Sequence, residues 1–186
     1  MIKKLLLPMC ALVLCVSCSY VGKKQNSKTL VAYYSWSETR NTEYVAKQIA
    51  VLTGGTLFEI TPTEKYPTDF NECLERGRIE KDSNVRPALV SKVGNIDNYD
   101  TVFIGFPNWF GSFPMLIATF IEGNNFKDKV IIPFVTHGTG GRQNCFSNLM
   151  PLLSESIVLE GYSNYGKDVQ LPEAKENVRV WIESLR

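Results

Sequence analysis

Five strand-like segments alternate with helix-like segments along most of this chain, and that alternation limits the possible folds more than any other feature. The strand-like segments are Leu30–Tyr34, Thr56–Ile60, Thr101–Phe106, Val130–Val135 and Ile157–Gly161. The helix-like segments are Thr42–Leu52, Asp69–Lys81, Pro114–Glu122, Asn144–Leu153 and Pro172–Leu185. Apolar strands separated by helices are typical of a parallel sheet covered on both faces. The sequence therefore predicts an α/β protein, with a doubly wound five-stranded parallel sheet in the order 2-1-3-4-5 inside three α/β/α layers.

Pro133 lies inside one of the predicted central strands, Val130–Val135. Proline has no N–H to donate to a strand ladder, so it is rare in the middle of a sheet. We therefore expect a bulge or the start of the strand at this position.

The segment after the first strand combines several hydroxyl groups with the start of a helix. The hydroxyls belong to Ser35, Ser37, Thr39 and Thr42. The helix is indicated by Val45, Ile49 and Leu52, which fall on one helical face. The first N–H groups of a helix have no partner within it and lie at the positive end of its dipole, so they attract anions. The pattern predicts a phosphate site, and the alternative is an ordinary capped helix start.

Two further loops follow predicted strands and meet the first loop at the carboxyl edge of the sheet, where ligands bind in this architecture. In Gly105–Gly111, Trp109 and Phe110 offer aromatic faces that suit a flat cofactor such as a flavin. The alternative for Trp109 is packing in the core. In Thr136–Arg142, three glycines within four residues let the backbone approach a ligand closely. His137 in that loop either donates a hydrogen bond or proton to the ligand or faces water.

These loops resemble motifs of the flavodoxin family. Ser37-Glu-Thr-Arg-Asn-Thr42 aligns without a gap to the Thr-x-Thr-Gly-x-Thr phosphate loop of flavodoxins. Tyr34-Ser35-Trp36-Ser37 is similar to the Tyr-Ser-x-Ser/Thr-Gly-x-Thr form of a broader flavodoxin-like family. The glycine of the motif is Arg40 in the first alignment and absent in the second. Arg40 therefore either adds a charged contact to the phosphate or obstructs the loop with its bulk.

The resemblance extends over residues 29–185. Tyr99-Asp-Thr-Val-Phe-Ile-Gly-Phe-Pro-Asn-Trp109 is similar to the Tyr-Asp-x-(apolar)-Gly-x-Pro-x-Trp segment of the family, and Arg86-Pro87-x-Leu89 recurs at the matching place. Val130–Gly141 resembles the Pro-Phe-x-Thr-x-Gly strand and turn, and Trp181 matches the aromatic residue of the last helix.

The resemblance implies a flavodoxin-like fold with FMN as the cofactor. Its phosphate is expected at Ser35–Thr42 and its ring system between the other two loops, and His137 is the candidate catalytic residue. The implied cofactor-binding residues are Ser35, Ser37, Thr39, Arg40, Asn41, Thr42, Pro107, Asn108, Trp109, Phe110, Gly111, Thr136, His137, Gly138, Thr139, Gly140 and Gly141.

The first 18 residues resemble a bacterial lipoprotein signal. Lys3 and Lys4 precede the uncharged apolar run Leu5–Val16, and Ser17 then precedes Cys18. The run is shorter than the roughly 20 residues that a membrane span needs. Cys15 stands where such signals usually have leucine. We expect residues 1–18 to be a signal peptide ending in a lipidated Cys18, residues 19–28 a tether and residues 29–186 the folded domain. The protein would then be exported and held as a membrane-anchored lipoprotein of the bacterial cell envelope.

Composition restricts the remaining classes of site. The chain has 20 basic and 19 acidic residues, and without Lys3 and Lys4 the basic residues number 18, so nothing in the balance favours nucleic acid as a partner. A single histidine and the absence of a Cys-x-x-Cys pattern after residue 18 argue against a zinc or haem site in the folded domain. Cys73 and Cys145 are expected to be unpaired thiols, although an exported protein could also join them.

Three functions remain compatible with these features. In the first, the chain is an NAD(P)H- or quinone-linked reductase whose flavin carries the redox chemistry. In the second, it is a one-electron carrier that docks to a redox partner protein, although such carriers are usually strongly acidic. In the third, it is a binding or scaffold lipoprotein that has lost the cofactor, a possibility that Arg40 keeps open.

Overall fold

A parallel sheet forms the centre of the computed structural model, which describes residues 28–185. Its strands are β1 (Thr29–Tyr33), β2 (Thr56–Glu59), β3 (Thr101–Pro107), β4 (Val130–His137), β5 (Ile157–Val158) and β6 (Tyr162–Tyr165). All pairs are parallel and the order is β2-β1-β3-β4-β5, with β6 also paired to β4. The predicted sheet order is therefore confirmed.

Helices cover both faces of this sheet, as predicted. They are α1 (Asn41–Thr53), α2 (Phe70–Asp82), α3 (Met115–Glu122), α4 (Cys145–Leu149) and α5 (Pro172–Ser184). Short 3-10 turns lie at Ile96–Asn98, Met150–Leu153 and Gly166–Asp168. Because successive strand side chains point to opposite faces, Val31 and Tyr33 pack with α1 and α5, whereas Leu30 and Ala32 pack in the other core with α3. The result is the three-layer α/β/α arrangement.

The predicted fifth strand, Ile157–Gly161, is shorter than the sequence indicates. Only two residues pair as β5, and β6 then takes the same side of β4 farther along, where His137 pairs with Tyr165. Gly161 lies between them, and a Cβ there would stand 2.4 Å from the carbonyl oxygen of Pro133, so only glycine fits this close crossing. The split strand carries the chain after Tyr165 to the carboxyl edge of the sheet.

The expectation of a bulge or strand start at Pro133 is wrong. Pro133 pairs in regular register with Ile104 inside β4. The N–H of Val130 points to β3, where it donates to the carbonyl of Asp100. Successive N–H groups along a strand point to alternate sides, so the nitrogen of Pro133, three residues later, points away from β3. On that side β4 changes its neighbour from β5 to β6, so the missing N–H costs no ladder hydrogen bond.

The predicted signal peptide, with its cysteine at Cys18, and all but the last residue of the predicted tether lie outside the described residues. Between residues 28 and 185, no helix has both the length and the apolar character needed to cross a bilayer. Cys73 and Cys145 are buried, unpaired thiols, as expected. Burial raises the pKa of the Cys73 thiol to about 11 and that of Cys145 to about 12.

Candidate functional site

Four chain segments converge on a cavity of about 410 Å³ at the carboxyl edge of the sheet, referred to below as the main cavity. Three of them are the predicted loops, after β1, β3 and β4. The fourth follows β6 and was not predicted. From the first loop, the main cavity is lined by Ser37, Asn41 and Thr42, together with Trp36.

The start of α1 supplies hydrogen-bond donors to this cavity. No side chain caps the first turn of α1, so its N–H groups keep their capacity to bind a ligand. The buried hydroxyl of Thr42 lies 2.7 Å from the hydroxyl of Thr136 and so joins the start of α1 to the end of β4. These features make the α1 end of the main cavity suitable for an anion.

Arg40 stands at the glycine position of the first alignment and adopts a backbone conformation that suits glycine. Its φ of 50° and ψ of 41° are left-handed, which costs a non-glycine residue about 1–2 kcal/mol. The side chain turns to other partners: Nε donates to Glu43 at 2.6 Å, Nη1 donates to the carbonyl of Ser35 at 2.5 Å, and Nη2 donates to Glu59. Burial lowers the pKa of Arg40, but hydrogen bonds to Glu59 and Glu43 outweigh it and raise that pKa above its ordinary value. Arg40 does not line the main cavity.

Ser35 and Thr39 also lie beside the cavity lining rather than in it. Thr39 is exposed, and its hydroxyl is 3.1 Å from that of Ser37. Ser35 is 3% exposed, and within residues 28–185 its hydroxyl has no hydrogen-bond partner. A buried hydroxyl without a partner is costly, so this loop retains an unused polar group where a ligand is expected.

Asn108 ties the second loop to the third. Its backbone N–H donates to the carbonyl of Thr136 at 2.8 Å, and its Nδ2 donates to the carbonyl of Gly141 at 2.7 Å. Its Oδ1 accepts from the N–H of Gly111 at 2.9 Å. Pro107 and Asn108 line the main cavity, whereas Gly111 contributes the left-handed turn, with φ 72°.

Trp109 and Phe110 line a different space. A second cavity of about 280 Å³, called the aromatic cavity here, is bounded by Trp36, Phe70, Cys73, Leu74, Asn108, Trp109 and Phe110. The ring of Trp109 makes edge contacts with Tyr66 at 4.9 Å and Tyr34 at 5.9 Å between centroids. A Cβ on Gly77 of α2 would stand 3.0 Å from the same ring. Trp109 thus packs as the core alternative describes, and stacking on a flavin stays a prediction.

The third loop brings four predicted residues into the main cavity: Thr136, His137, Gly138 and Thr139. Nδ1 of His137 lies 2.7 Å from the carbonyl oxygen of Gly138. A carbonyl only accepts, so Nδ1 carries the proton and Nε2 of the neutral ring is left as an acceptor. Gly140 and Gly141 lie farther along the loop, outside the lining.

Sequence reasoning missed the segment after β6, where Tyr165, Gly166 and Lys167 also line the main cavity. Gly166 packs against the start of α1, since a Cβ there would stand 2.8 Å from Nδ2 of Asn41. The ring of Tyr165 lies 6.2 Å from that of His137. The only local signal is a glycine directly after a short strand, and it says nothing about which loop the glycine touches.

The main cavity therefore combines hydroxyl and backbone donors with one lysine. Within residues 28–185, no group of histidine, cysteine or acidic residues is arranged to hold a metal ion. Such a donor set suits a phosphorylated organic ligand, because hydroxyls, helix N–H groups and a cation all stabilise phosphate oxygens.

Comparison with solved structures gives close matches in fold. A protein from Bacteroides uniformis ATCC 8492, assigned as a flavoprotein, is 36% identical with a TM-score of 0.74, covering 86% of this chain and 99% of that one. Its counterpart from Bacteroides eggerthii DSM 20697 is 34% identical with a TM-score of 0.73, covering 86% and 98%. A flavoprotein from Lactobacillus acidophilus NCFM in complex with FMN has the same fold at 23% identity, with a TM-score of 0.66, covering 77% of this chain and 96% of that one.

A comparison with curated proteins found no match. The family model for flavodoxin, in contrast, matches residues 28–185, which is the whole of the part that the structure describes. Together with the sheet order and the loops at its carboxyl edge, this match shows that the chain belongs to the flavodoxin family.

Proposed function

We propose that this chain binds FMN in the main cavity and acts as a flavodoxin-like redox protein. The observation that carries the proposal is the uncapped start of α1, which opens into a cavity lined by hydroxyls and backbone donors. The flavodoxin family match supports FMN as the cofactor, and the fold neighbour from Lactobacillus acidophilus contains it.

The residues present fit this cofactor. The first-turn N–H groups of α1 and the hydroxyls of Ser37 and Thr42 would hold the phosphate. The unpartnered hydroxyl of Ser35 would gain a partner if the loop closes on the ligand. Bound FMN would supply the capacity to accept a hydride or single electrons.

His137 is the proposed catalytic residue, since it lines the main cavity and its Nε2 is free of the hydrogen bond made by Nδ1. There it would exchange a hydrogen bond or proton with the polar edge of the cofactor. His137→Gln should change the pH profile of flavin reduction, measured by stopped-flow absorbance. An unchanged profile would mean that the imidazole serves only the loop.

Transfer to a small molecule is favoured over transfer to a basic protein partner. The charge balance is close to neutral, so the strong negative field that steers a carrier to a basic partner is missing. We therefore propose the role of an NAD(P)H- or quinone-linked reductase. Steady-state oxidation of NAD(P)H with a quinone as acceptor tests this. Absence of turnover, together with rapid electron exchange with another redox protein, would instead identify a carrier.

The cofactor itself is tested on the purified protein. The visible absorbance spectrum should show a flavin, and the ligand released by heat should have the mass of FMN. FAD in the released fraction, or no flavin after reconstitution attempts, contradicts the proposal.

We further propose that Cys18 anchors the protein to a membrane, because Ser17 and Cys18 directly follow the uncharged apolar run Leu5–Val16. Several acyl chains hold a protein firmly, whereas one chain binds only marginally. Cys18→Ser should release the protein into the soluble fraction. Membrane association that survives this change would point to an uncleaved N-terminal segment.

A further inference from the structure

Lys167 lies in the short turn after β6, a segment that carries no recognised part of the phosphate-loop motif. Lys167 is one of the residues that line the main cavity, and it is exposed. Its side chain has no hydrogen bond or ion pair with any residue in the part of the chain that the structure describes. A cation that faces a cavity without an acidic partner is available to a ligand.

The position of Lys167 is set by close packing against α1. The neighbouring Gly166 approaches Asn41, the first residue of α1, so closely that a Cβ would lie 2.8 Å from its Nδ2. The pairing of His137 with Tyr165 holds the same segment to the end of β4. The backbone at Lys167 is therefore held next to the start of α1, at the end of the main cavity where the anion is expected.

Arg40, the other cation of this region, already has hydrogen-bond partners within the protein. Its guanidinium donates to Glu43, to Glu59 and to the carbonyl of Ser35. Among the described residues that line the main cavity, Lys167 is consequently the one that carries a positive charge.

We propose that Lys167 provides the cationic contact to the phosphate of FMN, and thereby makes the site prefer FMN over riboflavin. The proposal rests on the function proposed above. A phosphate monoester carries between one and two negative charges near neutral pH, and helix N–H groups alone offset only about half a charge. The flexible ammonium group of lysine reaches a phosphate from a neighbouring loop as a point charge. Solvent exposure moderates the strength of the contact.

The test is equilibrium binding of FMN and of riboflavin, followed by quenching of flavin fluorescence. The proteins are the wild type, Lys167→Gln, Lys167→Arg and the control Lys92→Gln. Lys92 is exposed and outside the cavity lining, so the control removes the same charge elsewhere. Lys167→Gln should weaken FMN roughly threefold to tenfold, the range for a partly exposed charged contact. Riboflavin affinity should stay the same, and Lys167→Arg should keep most of the FMN affinity.

Salt provides a second readout. Added salt screens exposed charges, so FMN affinity should fall less steeply with salt in Lys167→Gln than in the wild type and the Lys92→Gln control. Equal FMN affinity in wild type and Lys167→Gln would overturn the role of Lys167 while leaving FMN binding intact. Equal losses for FMN and riboflavin would show a structural role and overturn it as well. A wild type that binds no flavin would overturn the proposed function itself.

Discussion

The main cavity and the aromatic cavity lie at the same edge of the sheet and share Trp36 and Asn108. Most residues that line the first are polar, whereas most of those that line the second are aromatic or aliphatic. The main cavity is formed where strands and α1 leave backbone donors and hydroxyls without regular partners. The aromatic cavity is formed where rings from the loop after β3 meet the side chains of α2. Neighbouring loops at one edge of a sheet can therefore form a polar ligand cavity and an apolar packed region side by side.

The electrostatics of the two regions differ in the same way. Beside the aromatic cavity, burial raises the pKa values of Tyr34 and Tyr66 above the ordinary value. The hydroxyl of Tyr66 donates to the buried carboxylate of Glu80 at 2.5 Å, and Nε of Arg76 donates to the same carboxylate at 2.9 Å. This network keeps the polar groups satisfied inside a packed region. In the first loop, in contrast, the hydroxyl of Ser35 has no partner within residues 28–185.

The largest expected effect tests whether the aromatic region is core. Trp109→Ala should lower the free energy of unfolding of the cofactor-free protein by about 3 kcal/mol, the scale for truncating a packed aromatic ring. Urea denaturation measures it. Phe70→Ala is the control, because Phe70 is 63% exposed at the rim of the same cavity; it should lose far less. If Trp109→Ala keeps the stability of the cofactor-free protein but weakens FMN, the ring covers the flavin and belongs functionally to the main cavity.

The next effect concerns the polar side of the comparison. Thr42→Val keeps the shape of the side chain but removes the hydroxyl that bonds Thr136. FMN should bind more weakly by about 1–3 kcal/mol, the scale for a hydrogen bond to a charged group, and riboflavin should change much less. Thr63→Val provides the matched control, since Thr63 is exposed and outside the lining. Equal losses for both ligands would mean that this loop does not contact the phosphate.

Arg40 allows the backbone and the side chain of the first loop to be separated. Arg40→Gly relieves the left-handed conformation but loses the bonds to Glu43 and Glu59. Arg40→Ala loses the same bonds and keeps the strain. The glycine variant should therefore be more stable than the alanine variant by about 1 kcal/mol, measured by urea denaturation, and both should still bind FMN. Loss of FMN binding in both variants would show that the guanidinium contacts the phosphate after all.

The smallest effect is a pH dependence beside the first loop. Hydrogen bonds from Lys47 and Arg40 lower the pKa of Glu43 below its ordinary value of 4.5. Its stabilising contribution is therefore complete above the unfolded-state pKa and disappears as the pH falls through the folded-state pKa. Glu43→Gln should cost about 0.5 kcal/mol at pH 7, as partly exposed ion pairs do, and nothing at a pH below the folded-state value. A cost that stays constant with pH would locate the effect in packing instead.

Local pattern was sufficient for most of the fold and for the location of three of the four loops. The apolar runs around Val31, Ile104 and Ile132 predict buried strands, because burial on both faces leaves no polar alternation. Hydroxyls before the Val45 and Ile49 face predict a helix start that can hold an anion. The flavodoxin resemblance then pointed to FMN, which the family match supports.

Features that depend on contacts between distant segments of the chain could not be predicted from local sequence patterns. The aromatic character of Trp109 fits a core and a cofactor face equally well, and only its contacts with Tyr66 and Gly77 show where it packs. The alignment places Arg40 at a glycine position, but it does not show where the guanidinium goes, because the partner Glu59 lies 19 positions away.

The sequence by itself determined the alternation of strands and helices, the order of the sheet and the edge where a ligand is expected, because these follow from hydrophobic periodicity and from the general properties of parallel strands. The tertiary structure decided that Pro133 lies in regular register where β4 changes its neighbour from β5 to β6, that the fifth strand splits at Gly161, and that Gly166 packs against Asn41 at the start of α1. Each of these depends on contacts between segments far apart in the chain, whose energies no local pattern encodes.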